Sequence, residues 1–213
     1  MYVPSHFKED DLNRIKDFIR TNDFATVVSW DGTRPLASHL LVELEEDASG
    51  NLRLNGHMAR ANASWETFNT DTEVLTVFLG PHTYISPTWY SVQAVPTWNY
   101  ISARAYGTPR IISDHDELYS LLQHLVEKHE SLDHSSAGYD LTKLPQDFVE
   151  KMMGGVVGFQ IIVERIEASY KLSQNRSEAD YHNIIIQLRS RGDENSREVA
   201  EAMVRVYAEK KTE

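Results

Sequence analysis

The chain has 213 residues, 41% of them hydrophobic and 25% charged, with a formal net charge of −11 and no cysteine. That composition is globular and long enough to bury a core without staples, and the missing thiols exclude disulfides, thiolate catalysis, iron–sulfur clusters and Cys-based zinc sites. No apolar run approaches the roughly 18 residues of a membrane span, and the start lacks the basic-then-apolar layout of a signal peptide, so a cytoplasmic protein is expected. Residues 1–110 hold 9 basic and 13 acidic groups, and residues 111–213 hold 12 and 19. Neither half is basic, so DNA binding, which draws on phosphate neutralisation, would need a local patch or a dimer groove acting against the global field.

In chain order, Lys8 to Arg20 reads as a helix, with Leu12, Ile15 and Ile19 on one stripe and Glu9, Asp10 and Asp11 at its start, where the dipole favours them. Phe24 to Trp30 reads as a strand ending at the turn signal Asp31-Gly32. In Leu36 to Leu44, Leu36, Ser38, Leu40, Val42 and Leu44 alternate with Ala37, His39, Leu41 and Glu43. Leu52–His57, Glu73–Leu79, His82–Ser86 and Thr97–Tyr106 are further predicted strands. Pro81, Pro87, Pro96 and Pro109 are expected at strand ends and edges, because proline cannot donate to a ladder. Asp114 to Leu132 is an amphipathic helix with Leu118, Leu121, Leu122 and Leu125 in register. Leu141–Met153 holds a short helix with Pro145 near its start. Val156–Ala168 returns as a long strand, and the chain is helical from Ser177 onward with a break at Gly192. Strands, then helices, then a strand predict an α+β, mainly β fold: a closed or nearly closed sheet with helices outside it. One domain is expected over residues 1–176, including a helical insertion at 114–153, followed by a C-terminal helical segment, 177–213, packed on the barrel or on a partner.

Few familiar catalytic patterns are present. There is no HExxH, and His124 and His129 are five apart, off a shared helix face, so no metal site is predicted. Together with His115 and His134 they are expected to decorate a solvated helix and its exit loop. There is no Gly-x-Ser-x-Gly and no phosphate-binding glycine loop. Gly154-Gly155 with Gly158 reads as a turn into the Val156 strand, and the abundant carboxylate pairs sit on polar faces. No residue is assigned a catalytic role, although His82 and Tyr84 are the first to consider.

Three stretches are suited to a ligand. Tyr84, Trp89, Tyr90, Trp98, Tyr100 and Tyr106, interleaved with Ser86, Thr97 and Asn99, fit either an aromatic barrel core or a slot for a flat ligand. His39, His57 and His82 lie in or beside strands, as core histidines or pocket donors. Gly56 to Trp65 leaves a strand for a short helix with Arg60 and Asn62 beside it, and Lys171-Leu172-Ser173-Gln174-Asn175-Arg176 offers cations and polar groups past the long strand. Both suit a phosphate. Charge-assisted bonds of about 1.5–3 kcal/mol outweigh an aromatic stack of roughly 0.5–1.5 kcal/mol, so a phosphorylated planar ligand would gain much of its affinity at its phosphate.

Several blocks together resemble the PaiB family: Met1 to Phe7, Ala37-Ser38-His39-Leu40, Gly56-His57-Met58-Ala59-Arg60-Ala61-Asn62, Gly80-Pro81-His82 to Trp89-Tyr90, Val95-Pro96-Thr97-Trp98-Asn99-Tyr100 and Lys171 to Arg176. The match runs in order from residue 1 to about 180. Members are FMN-binding negative transcriptional regulators, associated in bacilli with repression of sporulation and protease synthesis. The resemblance implies an FMN-binding split β-barrel, homodimeric, with flavin at the subunit interface. It implies Arg60 and Asn62 at the phosphate, with Lys171, Ser173 and Gln174 closing the site. His39, His57, His82, Trp89 and Trp98 would line the ring or ribityl chain, and Asn99 would bond the ring edge. A flavin-dependent oxidoreductase or haem-handling enzyme on the same barrel is the alternative. The segment from Gln187 carries Arg189, Arg191, Arg197, Arg205, Lys210 and Lys211 against Asp193, Glu194, Glu198, Glu201, Glu209 and Glu213, a mixed-charge helix more than a basic arm.

Overall fold

The computed structural model describes residues 3–69, 72–132 and 139–210. His134, Lys211 and Glu213, all discussed above, lie outside the described residues. Seven strands form one sheet: β1 Lys8–Glu9, β2 Phe24–Trp30, β3 Pro35–Glu46, β4 Leu52–Ala59, β5 Val74–Ile85, β6 Thr97–Ile112 and β7 Val156–Lys171. Their order is β1-β7-β4-β3-β2-β5-β6, and β6 also pairs with β7, so the six longer strands join in a ring. Five helices accompany them: α1 Leu12–Thr21, α2 His115–Leu132, α3 Gln146–Gly154, α4 Glu178–Ser190 and α5 Glu194–Lys210. The expected mainly β architecture with flanking helices is what the chain adopts.

Two compact units divide the residues. The first contains Met1–Phe18, Leu79–Ala103 and Glu167–Glu213; the second contains Ile19–Phe78 and Arg104–Ile166. In the second unit the β2–β3 hairpin turns through Gly32 at φ +94°, a conformation costly for a side chain. Asp31 Oδ1 accepts from Thr33 Oγ1 and from the backbone N–H groups of Arg34 and Thr33. These bonds hold its carboxyl down to about 2. The second unit's interior is filled by Val42, Leu54, Phe68, Phe78, Phe159 and Ile161, all under 3% exposed, with Phe68 set edge-on to Phe159 at 5.2 Å. Each such apolar side chain contributes roughly 1.5–3 kcal/mol on burial.

Glycines set the strand spacing here. A Cβ on Gly56 would stand 2.7 Å from Phe159 Cζ, and one on Gly158 would stand 2.7 Å from Leu118 Cδ1 of α2. Gly158 is therefore a packing position inside β7 and not part of a turn. The tightest approach is at Gly107 of β6, where a Cβ would lie 2.0 Å from the carbonyl oxygen of Ile162 in β7.

Several expectations need correction. Residues 8 and 9 form β1, paired to Ser169 and Ala168, and not the first turn of a helix. The helix begins at Leu12, with Asp11 Oδ1 accepting from the N–H groups of Asn13 and Arg14. Pro87 and Pro96 do flank elements, but Pro81 and Pro109 lie inside β5 and β6, and the two strands predicted on either side of Pro81 are one. Pairing of β5 with β2 ends at Val77, so the N–H that Pro81 lacks costs no bond in that ladder. Glu43 is a charged residue only 6% exposed. Its burial is offset by Lys128 Nζ, 3.0 Å from Oε1, which also reaches Asp23 at 2.7 Å. His124 and His129 stand 3.9 and 3.8 Å from these same carboxylates, so they face a buried acidic pair as well as solvent.

In the first unit α4 and α5 pack together through Ile184, Leu188, Val199 and Met203, each fully buried. Ser177 caps α4, and Gly192 at φ +79° turns the chain into α5. No helix among the described residues is long and apolar enough to cross a membrane.

Gly107→Ala is expected to lose about 3 kcal/mol or more in denaturant unfolding, because backbone stands where the methyl must go. Gly154→Ala, with nothing within 4 Å of the added carbon, is expected to gain about 0.4–1 kcal/mol. Equal stability of the two variants would show that the β6–β7 approach tolerates a side chain.

Candidate functional site

In the second unit, β4 delivers His57 and runs into the turn that carries Arg60 and Asn62. Arg60 is pinned to the start of β7. Its backbone N–H donates to Gly155 O at 2.8 Å, Nε to Gly154 O at 2.9 Å and Nη2 to Val156 O at 2.9 Å. The side chain is exposed, and no carboxylate among the described residues lies within ion-pair distance of it. Two neutral acceptors thus orient the guanidinium without cancelling its charge, and Nη1 keeps its donors.

Asn62 uses both ends of its amide locally. Oδ1 accepts from Ser64 N–H at 3.1 Å, and Nδ2 donates to Ser38 Oγ at 3.0 Å, itself 3.2 Å from Ser64 Oγ. The expected short helix is the 3-10 segment Ala63–Asn69, and Asn62 caps it. His39 lies on β3, exposed, its Nδ1 3.0 Å from Thr26 Oγ1. By ladder register, His39 and His57 share the sheet face opposite the packed Val42, Leu44 and Leu54, whereas Ser38 lies on the packed side. The His57 Nδ1 atom is buried and unpartnered, and burial lowers the ring's pKa, keeping it neutral.

In the first unit, strand alternation in β6 sorts the expected residues onto two faces. Thr97 and Asn99 point to one side. Lys171 Nζ donates to Thr97 Oγ1 at 2.6 Å, and Ser173 Oγ donates to Asn99 Oδ1 at 3.1 Å. Asn99 and Ser173 are 0% and 3% exposed. Trp98 points the other way, with His82 and Tyr84. Its Nε1 donates to His82 Nδ1 at 3.3 Å, which puts the proton of neutral His82 on Nε2. Gln174 spends its amide on its own loop, accepting from Leu172 N–H at 2.7 Å and donating to Tyr170 O. Asn99, Ser173 and Gln174 therefore hold the 171–176 loop, in which Lys171 has no carboxylate partner among the described residues. Trp89 lies beneath the Arg191 guanidinium at 4.5 Å, and its backbone O accepts from Asn183 Nδ2 at 2.7 Å.

Three features escaped sequence reasoning. Ser173 sits at φ +64°, a strained position for serine that only its fixed bonds sustain. Arg191 packs on Trp89 and donates to Thr83 Oγ1 and Tyr84 O, joining the C-terminal helices to the aromatic stretch; sequence separation hid that pairing. Arg104 Nη1 is buried without an acceptor. Its only sequence signal is a charge set among the small residues Ser102, Ala103 and Ala105 of β6.

Burial of neutral His57 makes a pH prediction. Its folded pKa lies below the unfolded value near 6.5, so the native state takes up fewer protons there, and stability falls as pH drops through 6.5 toward the folded pKa. His57→Leu is expected to lose less stability than wild type between about pH 7.5 and 5 in paired unfolding titrations. An identical loss in both would mean that His57 titrates normally.

Comparison with known proteins places this geometry. A family model described as "Putative FMN-binding domain" matches residues 1–165. The chain is 40% identical over 203 residues to "Protease synthase and sporulation protein PAI 2" of Bacillus subtilis (strain 168), covering 95% of this chain and 96% of that protein. In fold it is similar to the FAD and heme binding protein from Mycobacterium smegmatis, with TM-score 0.54, 14% identity, and 77% and 73% of the two chains covered. It is likewise similar to the flavocytochrome Anf3 from Azotobacter vinelandii, with TM-score 0.54, 13% identity, and 85% and 78% covered. With most of its length matched by the family model and nearly all of it aligned to the Bacillus protein, the chain belongs to the FMN-binding-domain family of PaiB proteins.

Proposed function

We propose that this protein binds FMN and works as a PaiB-type negative transcriptional regulator, a cytoplasmic homodimer whose residues 1–176 carry the flavin barrel and whose residues 177–213 form an added helical segment. The observation that carries the flavin reading is Arg60: an oriented guanidinium with no carboxylate partner among the described residues, in a chain of net charge −11. Leaving such a charge uncompensated makes sense where an anion is to be held. The residues fit a phosphate on chemistry: Nη1 of Arg60 can donate, and the Asn62–Ser38–Ser64 cluster lies in the same unit. Lys171, in the other unit, is a second cation of the same kind, held by a neutral hydroxyl.

The remaining assignments divide by chemistry. His57, with its buried unpartnered Nδ1, and His39 are the ring or ribityl contacts of the second unit. The tilted His82–Trp98 pair and Trp89 offer flat surfaces in the first. Asn99, Ser173 and Gln174 serve by fixing the loop that presents Lys171. FMN when bound supplies redox and light-absorbing chemistry; the chain's own groups bind and orient it. The regulatory role is supported by kinship with the Bacillus protein. Among the described residues of the C-terminal helices, Arg189 pairs with Glu201, Arg197 with Glu194, and Arg191 is engaged with Trp89 and Tyr84.

Fluorescence titration of FMN tests the reading. Arg60→Ala is expected to weaken binding at least tenfold, about 1.4 kcal/mol. Thermal melts without FMN control for the lost carbonyl bonds. Unchanged affinity in a folded variant would remove Arg60 from the phosphate site.

A further inference from the structure

A cavity lies in the second unit, and Arg60 is not among its lining residues. It encloses about 400 Å³ between α2 and the sheet face that carries His57. Its floor is a two-strand quartet. Glu43 and Glu45 of β3 stand directly opposite Asn55 and Arg53 of β4, and all four line the space. Carboxylates thus run along one strand and donors along the next, one strand spacing away.

Fixed hydrogen-bond polarity makes this more than a charged surface. Arg110 Nε can only donate, and it bonds Gln160 Oε1 at 3.0 Å. Gln160 must therefore donate through Nε2, which it does to Asn55 Oδ1 at 2.8 Å. Asn55 is left with Nδ2 as its free end: two donors with no acceptor, on a side chain 8% exposed. Arg110 is anchored in turn by Glu117. Across the ladder, Glu43 gives Oε1 to Lys128 Nζ at 3.0 Å, while its Oε2 has only His124 Nε2 at 3.9 Å. Glu45 has no ion-pair partner among the described residues, and Arg53 is held through Nη2 by Asp47 at 3.0 Å. These donors open onto the cavity, where an occupant can accept from them.

The charge pattern selects that occupant. A simple cation would meet Asn55 Nδ2 and Arg53, and a simple anion would meet Glu43 and Glu45. A molecule that carries both charges, as an ammonium and a carboxylate on one carbon, satisfies both rows. Leu121 and Ile112 give the cavity an apolar side. We infer that this cavity is a binding site for an apolar α-amino acid, its carboxylate on Asn55 Nδ2 and Arg53 and its ammonium on Glu43 and Glu45. None of Arg60, His39 and His57 is among the residues that line it.

Calorimetry on the full chain tests this, with L-leucine as probe and L-leucinamide and 4-methylpentanoate as analogues lacking the carboxylate or the ammonium. Saturable binding of L-leucine is expected, with both analogues at least tenfold weaker. Asn55→Ala is expected to weaken L-leucine at least tenfold while FMN binding stays at the wild-type level. Glu45→Gln, at the exposed rim, serves as a second variant with little risk to folding and is expected to weaken it at least threefold. The inference is overturned by no saturable heat up to about 10 mM, by equal binding of all three compounds, or by both folded variants binding as wild type; the cavity then holds solvent only.

Discussion

The ring of strands depends on how closely two backbones can approach. Where β6 meets β7, the space that a side chain on Gly107 would occupy is filled by the Ile162 carbonyl, so one missing Cβ is a condition of closure. The same economy operates at Gly56, which leaves room for the Phe159 ring, and at Gly158, which lets α2 settle onto the sheet. These absences place β4 and β7 side by side from Arg53–Ile162 to Ala59–Val156. That ladder ends where Gly154, Gly155 and Val156 turn their carbonyls to Arg60. The orientation of the proposed phosphate ligand is thus a downstream result of glycine-limited packing.

Polar groups in this molecule divide into those spent on structure and those held back. Ser173, Asn99, Gln174 and Asn62 look alike in sequence to ligand donors, yet each closes a local bond that fixes a loop or cap. Arg60, Lys171 and the free end of Asn55 are held by neutral partners that leave charge or donors over. In a protein with a large acidic excess, carboxylates to neutralise a cation are abundant. Arg60 and Lys171 have none among the described residues, and the proposed phosphate site rests on that.

Much of the fold was legible because it rests on local pattern. The strand Phe24 to Trp30 and its Asp31-Gly32 turn, the α2 leucine stripe and the Gly192 break all follow from periodicity and turn chemistry. What escaped was non-local. Pro81 sits mid-strand, beyond the end of the ladder with β2. Glu43 is buried because Lys128, far along the chain, arrives over it. The candidate site was legible as a set of residue types, since the blocks around Arg60 and Lys171 stand out from their surroundings. Which members contact a ligand and which hold the loop was not, because that turns on partners such as Thr97, Ser38 and Tyr170 that no spacing announces. The Arg191–Trp89 contact also recasts the C-terminal helices, which brace the aromatic stretch of their own unit.

The FMN phosphate is proposed to be received by the uncompensated Arg60 guanidinium. A crystal structure of the full chain grown with FMN tests it most directly. The account predicts a phosphate oxygen within hydrogen-bond distance of Arg60 Nη1, with Nε and Nη2 still on the Gly154 and Val156 carbonyls. Bound flavin whose phosphate rests on other groups, with Arg60 facing solvent, would contradict it.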